Sequence, residues 1–146
     1  MATCVCARQT TRLKANQRTF ALVFNTDFHD KLEQHWLAIY GHSDGSLKFF
    51  DSFGMPPSYN GFYTSFVYLC ISLQSFSSAL CGNYTIYGIY HRSRSVSFNK
   101  IISFLKSCSN SDLHVKTYVL SFQQAYCTIN PCLRRGQWCT FKCSFC

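Results

Sequence analysis

The sequence predicts an α+β fold, because two kinds of apolar spacing divide the chain. Short runs rich in β-branched and aromatic residues occupy positions 20 to 53, and apolar residues recur at helical spacing from Ser78 to Tyr126. A tight-turn signal, "HSDG" at 42 to 45, joins two of the extended runs and reads as a β-hairpin.

In chain order, "FALVF" from Phe20 is a short buried strand and "NTDFHDKLEQ" a polar connection. "HWLAIYG" is a second strand, and "SLKFFDSFG" resumes extended structure after the turn about Asp44 and Gly45. "PPSYNGFY" interrupts the pattern with prolines and Asn-Gly, and Tyr63 to Leu73 is expected to be helical. A further helix holds Leu80, Tyr84, Tyr87 and Tyr90, with Ser77 or Ser78 as its N-cap and Cys81 in its first turn. "SFNKIISFLKSC" and "SDLHVKTYVLSFQQAY" read as two amphipathic helices, the second with an extended portion as the alternative. Three regions follow: an atypical, poorly ordered segment over 1–19, a folded domain over 20–126, and a Cys-rich tail over 127–146.

Composition bounds the function. A chain of 146 residues with 47% hydrophobic content can bury a single core. Its bulk comes from 14 Phe, 9 Tyr and 2 Trp, and only 14% of residues are charged, so much of the surface is hydroxyl and amide. The net charge of +8 suits polyanionic partners, but the basic residues gather only loosely, at "RQTTRLKANQR", "HRSRS" and "RR", and each cluster alone reads as solubilising charge. "MATCVCARQTTRLK" lacks the apolar run of a signal peptide, so the ten cysteines point to a reducing, intracellular setting, cytoplasm or nucleus. The Asn83 sequon is then expected to be inert. "FYTSFVYLCISL" is too short to cross a bilayer, which takes roughly 20 apolar residues. No membrane partner is expected.

The chemistry-bearing residues cluster in order. A thiol attacks a carbonyl as the thiolate, which a helix N-terminus and a neighbouring imidazolium both favour. Cys81 is offered the first by its helix and the second by His35, whose tautomer Asp51 is placed to fix across the open end of the hairpin. Gln74, seven residues before Cys81, can pair its amide with the Cys81 backbone N–H as an oxyanion-stabilising set. Each residue alone has an ordinary explanation: a core thiol, a packed histidine, a turn-forming aspartate, a polar helix end.

The ordered set is more specific. "QHWLAIY", "FFDSFGM" and "QSFSSALCG" together resemble the adenovirus-type cysteine proteases, the adenain family, and the proteases of Polinton or Maverick virus-like DNA transposons. The order is similar, more distantly, in the SUMO-protease group. The resemblance covers about residues 20 to 105 and "NTDF" before the histidine strand adds to it. It implies a twisted mixed sheet flanked by helices, with the nucleophile at the start of a central helix. It also implies His35 as general base, Asp51 as its orienting acid, Cys81 as nucleophile, Gln74 as oxyanion donor and Trp36 as a wall of the site. The implied activity is cleavage of viral or transposon precursor proteins near small residues such as Gly, without a cofactor but with stimulation by DNA and a short peptide. Two departures stand out. Asp51 replaces the adenoviral Glu, as in the SUMO-protease branch, and only 34 residues precede His35, so a shortened or replaced leading segment is expected. The alternatives are a decayed copy that binds nucleic acid through its basic groups and tail, and a protease of SUMO or ubiquitin-like conjugates. In the tail, Cys127, Cys132, Cys139, Cys143 and Cys146 include one pair at zinc-knuckle spacing, and the expectation is a reactive extension without a metal.

Overall fold

The computed structural model of the chain describes residues 2–6, 19–26 and 35–129. Alternation in the strand-forming runs builds one mixed sheet in the order β1 (Ala2–Cys6), β2 (Phe20–Asn25), β3 (Trp36–Gly41), β4 (Leu47–Phe50) and β5 (Val67–Tyr68). β2, β3 and β4 are antiparallel, whereas the outer strands β1 and β5 each run parallel to their neighbour. The predicted hairpin is β3 and β4. Gly45 N–H donates to the His42 carbonyl, Asp44 Oδ1 accepts from Ser46 N–H at 2.8 Å, and Gly45 has a φ of 84°. The α+β class is therefore present. β1 lies within the N-terminal segment that composition set apart, and the Cys-rich tail beyond residue 129 lies outside the described residues.

Side-chain alternation divides the core into two layers. On one face Ala21, Ala38, Tyr40 and Phe50 pack against Tyr84, Tyr87, Phe98, Ile101, Leu105 and Val115 from α1 (Cys81–Ser93), α2 (Phe98–Ser107) and α3 (Ser111–Ile129). On the other, Phe24, Leu37, Ile39, Leu47 and Phe49 are covered by Phe62 and Phe66. Phe62 follows a 3-10 turn over Pro57–Asn60. Among the described residues, then, the helices cover one face and an aromatic loop covers the other.

α2 begins where the sequence places it: Ser97 is the N-cap, accepting from Lys100 N–H. α3 is helical throughout, and Asn110 Oδ1 caps it by accepting from Leu113 N–H at 2.9 Å. Two expectations are corrected. Residues 63 to 73 are not a helix, because Val67 and Tyr68 pair with Lys48 and Phe49 as an edge strand. The segment is rich in aromatic and β-branched residues, which lose rotamer freedom in a helix, and the free edge of β4 offers it hydrogen bonds instead. The N-cap of α1 is Leu80 rather than Ser77 or Ser78, and no side chain caps it, so Cys81 is the first residue of the helix. Ser78 is held short of the helix by a turn in which its N–H donates to the Ser75 carbonyl.

Gly54 ties the segment after β4 to the segment before α1. Its φ is 72°, and a Cβ there would lie 2.5 Å from the Ile71 carbonyl carbon, so both the backbone angle and the close approach require glycine. At Gly45 the φ is similar but a Cβ meets nothing within 4 Å. Gly54→Ala should cost about 3 kcal/mol and Gly45→Ala about 1 kcal/mol in urea unfolding. Equal losses would show that the approach to Ile71 constrains nothing.

Candidate active site

The antiparallel register sets the first half of the site. Ala38 pairs with Phe50, and the same register carried outward sets His35 opposite Phe53, with Asp51 on the diagonal. The rings of His35 and Phe53 lie 4.9 Å apart, and His35 Nε2 donates to Asp51 Oδ1 at 3.0 Å. On its other side the backbone of His35 is held by β2, because its carbonyl accepts from Thr26 N–H at 2.9 Å and from Thr26 Oγ1.

Asp51 is 6% exposed and fully engaged. Oδ1 also accepts from Phe53 N–H at 2.8 Å, and Oδ2 accepts from Asn60 Nδ2 at 3.2 Å. The Gly54 N–H donates to the Asp51 carbonyl, so the residue forms a turn and orients the imidazole at once.

Cys81 supplies the second half. It is 7% exposed, and its helix lies on β3, where Trp36 Cδ1 is 3.7 Å from the position a Gly82 Cβ would take. Thr85 Oγ1 fixes the overlap by donating to the Trp36 carbonyl at 3.1 Å. Asp51 occupies Nε2 of His35, Nδ1 is buried without an oxygen or nitrogen hydrogen-bond partner, and Cys81 is near enough to the ring for each group to shift the other's pKa. Burial raises a thiol's pKa. At Cys81 the hydrogen bond and charge of His35, with the backbone at Trp36 and Gly82, outweigh burial and lower it. Burial likewise works against a charged His35, but hydrogen bonds to Asp51 and Cys81 and their charges raise its pKa to about 9. The two shifts act in the same sense: each favours the charged form of its group, thiolate at Cys81 and imidazolium at His35.

Gln74 is 3% exposed and stands on the segment entering α1. Its Nε2 donates to the Ser78 carbonyl at 2.6 Å, and its Oε1 accepts from Ser52 Oγ at 2.7 Å. The preceding carbonyl, of Leu73, lies 3.0 Å from the buried Tyr84 hydroxyl, which donates to Asp112 Oδ1 at 2.8 Å. His35, Asp51, Gln74, Cys81 and Trp36 thus converge at one end of the β3–β4 hairpin. Sequence reasoning did not single out Ser52, Asn60 or Tyr84. Ser52 and Asn60 lie in "FFDSFG" and "PPSYNGFY", where turn chemistry was the visible signal, and Tyr84 had only helical spacing.

The basic cluster at 91 to 95 is not a free cationic surface. Arg92 is buried, donating to His42 Nε2 at 2.7 Å and to the Val96 carbonyl at 2.9 Å, with its guanidinium 4.5 Å from the Tyr40 ring centre. Arg94 lies 3.9 Å from the Tyr90 ring centre. The clusters at residues 8 to 18 and 134 to 135 lie outside the described residues. Among the described residues no group of His, Cys, Asp or Glu could hold a metal ion, Cys70, Cys81 and Cys108 are in no disulfide, and no helix is long and apolar enough to cross a membrane.

The pair predicts an unusual pH profile. Because its pKa is lowered, Cys81 should react with iodoacetamide faster than free cysteine at pH 6 and accelerate less steeply toward pH 8, where free cysteine gains about tenfold per unit. His35→Ala should restore the ordinary profile. Because the folded pKa of His35 lies above its unfolded value of 6.5, the stability it contributes is full below that value and is lost as pH rises through about 9. A Cys81 profile parallel to that of free cysteine would exclude the pair.

Comparison with known proteins gives no family assignment: no protein-family profile, no curated protein and no solved structure matches this chain.

Proposed function

We propose that this chain is a cysteine endopeptidase of the adenovirus and Polinton type, acting through an acyl-enzyme on Cys81. The observation that carries the reading is the His35 ring, bonded to Asp51 through Nε2 and interacting electrostatically with the thiol at the start of α1. Buried ion pairs also occur in purely structural settings. Here the thiol is a helix's first residue, with no side-chain cap competing for its N–H groups, and a buried glutamine amide lies seven residues before it.

In this reading the thiolate sulfur bonds to the scissile carbonyl carbon, and the π electron pair moves to oxygen. The Cys81 N–H and the Gln74 amide stabilise that oxyanion, a contribution of roughly 3 kcal/mol per donor. The His35 imidazolium gives its Nδ1 proton to the amine as the C–N bond breaks, then takes a proton from water as water attacks the thioester, whose C–S bond breaks to release the carboxylate product and restore the Cys81 thiolate and His35 imidazolium. Asp51 holds the ring through Nε2, while Asn60 and the Phe53 N–H keep the carboxylate aimed. Trp36 walls the site beside Gly82. The substrates are viral or transposon precursor proteins with small residues such as Gly near the cut. DNA and a short peptide are the proposed stimulators, in keeping with the +8 net charge.

The test is cleavage of Gly-containing precursor peptides and of a ubiquitin-like conjugate, with DNA present and absent. Cys81→Ala should abolish turnover. His35→Ala should lower kcat/KM by about 10³-fold, and Asp51→Asn by less, because the thiol remains beside the ring. Cleavage of the conjugate alone would move the assignment to the SUMO-protease group. Binding of DNA with no cleavage of either substrate would favour a decayed, nucleic-acid-binding copy.

A further inference from the structure

Ser52 has no role in the acid–base chemistry, yet it is 1% exposed and spends every polar atom that faces the Gln74 segment on that segment. Its carbonyl accepts from Leu73 N–H at 2.9 Å and from Gln74 N–H at 3.1 Å, and its hydroxyl donates to Gln74 Oε1 at 2.7 Å. We infer that Ser52 is a positioning residue for the oxyanion donor, fixing the orientation of the Gln74 amide from the backbone position next to the catalytic acid. This rests on the proteolytic reading above.

The argument is one of donors and acceptors. An amide side chain has two N–H donors at one end and an acceptor at the other, and its two ends are nearly alike in shape. The Ser78 carbonyl can only accept, so it requires Nε2. The Ser52 hydroxyl answers the other end by donating to Oε1. One N–H is then used on Ser78, and the second remains for a developing oxyanion. Replacing Ser52 by alanine leaves Oε1 as a buried acceptor without its donor and lets the amide rotate. The backbone bonds from Leu73 and Gln74 stay in place, so the segment itself is kept. Because Ser52 follows Asp51, the hydrogen-bonded acid and the oxyanion donor are set by one dipeptide.

Two reagents separate oxyanion stabilisation from thiol activation in the full chain at pH 6. Iodoacetamide alkylates the thiolate by displacement at carbon, with iodide leaving and no oxyanion formed. With 4-nitrophenyl acetate the sulfur bonds to the carbonyl carbon and the π pair moves to oxygen. Collapse then expels 4-nitrophenolate and leaves an S-acetyl thioester. Both adducts are quantified at Cys81 by mass spectrometry. Gln74→Ala should slow acetylation about 10²-fold with alkylation unchanged. Ser52→Ala should slow acetylation at least about tenfold, again with alkylation unchanged. The double variant should be no slower than Gln74→Ala, as expected when one residue acts through the other. The ratio of the two rates does not depend on the folded fraction, and Ser52→Thr, which keeps the hydroxyl, should hold the wild-type ratio. Equal ratios in the wild type and Ser52→Ala overturn the inference alone. If neither reagent modifies wild-type Cys81 faster than it does in His35→Ala, the protease reading falls and the inference falls with it.

Discussion

The register between β3 and β4 is the constraint on which the rest of the structure depends. Side chains alternate along a strand, so a slip of one residue would exchange the two faces of the sheet. Here both faces are buried and differ in shape: Leu37 and Ile39 meet Phe62 and Phe24 on one side, while Ala38 and Tyr40 meet the helices on the other. A slipped hairpin would press Leu37 into the space beside the helices and leave alanine against the aromatic loop. Two hydrophobic layers therefore hold the register, and the register sets Asp51 within one hydrogen bond of His35. The polar contact is a consequence of apolar packing.

Opposed electrostatic effects make that contact chemically useful. Desolvation alone would leave His35 neutral and Cys81 protonated. Specific interactions oppose burial at both groups: Asp51 and Cys81 favour the charged ring, and His35 with the backbone at Trp36 and Gly82 favours the charged thiol. An uncapped helix start ordinarily costs about 1 kcal/mol relative to a Ser, Thr, Asp or Asn cap. At α1 the uncapped geometry leaves the first N–H groups of the helix for the sulfur. Placing Ser78 three residues short of the helix, with its carbonyl bonded to Gln74, serves the site rather than the helix.

Much of this was legible because it rests on periodicity and turn chemistry. The hairpin about Asp44 and Gly45, the Ser97 start of α2 and the helical run through Tyr84 and Tyr87 are local patterns, and they lie where the sequence puts them. Residues 63 to 73 were not legible, because their apolar run fits either period and the deciding factor was the unpaired edge of β4, a non-local feature. Arg92 was misjudged for the same reason: "HRSRS" reads as surface charge until Tyr40, Phe98 and His42 close over it. At the candidate site, the resemblance carried by the order of His35, Asp51, Gln74 and Cys81 pointed to residues that the fold brings to one end of the hairpin. Ser52 and Asn60 could not be named, since a serine and an asparagine in turn-forming stretches carry no mark of the partners that tertiary structure supplies.

The four named residues belong to two pieces of chain, His35 and Asp51 to the hairpin and Gln74 and Cys81 to the segment entering α1. Neither piece holds the other through the chemistry alone, since the His35–Cys81 contact is one of several that must coincide. What joins them is backbone: Gly54 against Ile71, the Ser52 carbonyl against Leu73 and Gln74, and Thr85 reaching the Trp36 carbonyl. The Tyr84 hydroxyl extends the join to α3 by lying within hydrogen-bond distance of the Leu73 carbonyl, Ser111 and Asp112. The site thus exists only where the helix layer is docked on the hairpin, and its geometry is a property of that docking rather than of either piece. A loosening of α1 against β3 separates thiol from imidazole and withdraws the interactions that favour the charged form of each, so the shifts at His35 and Cys81 are confined to the packed state.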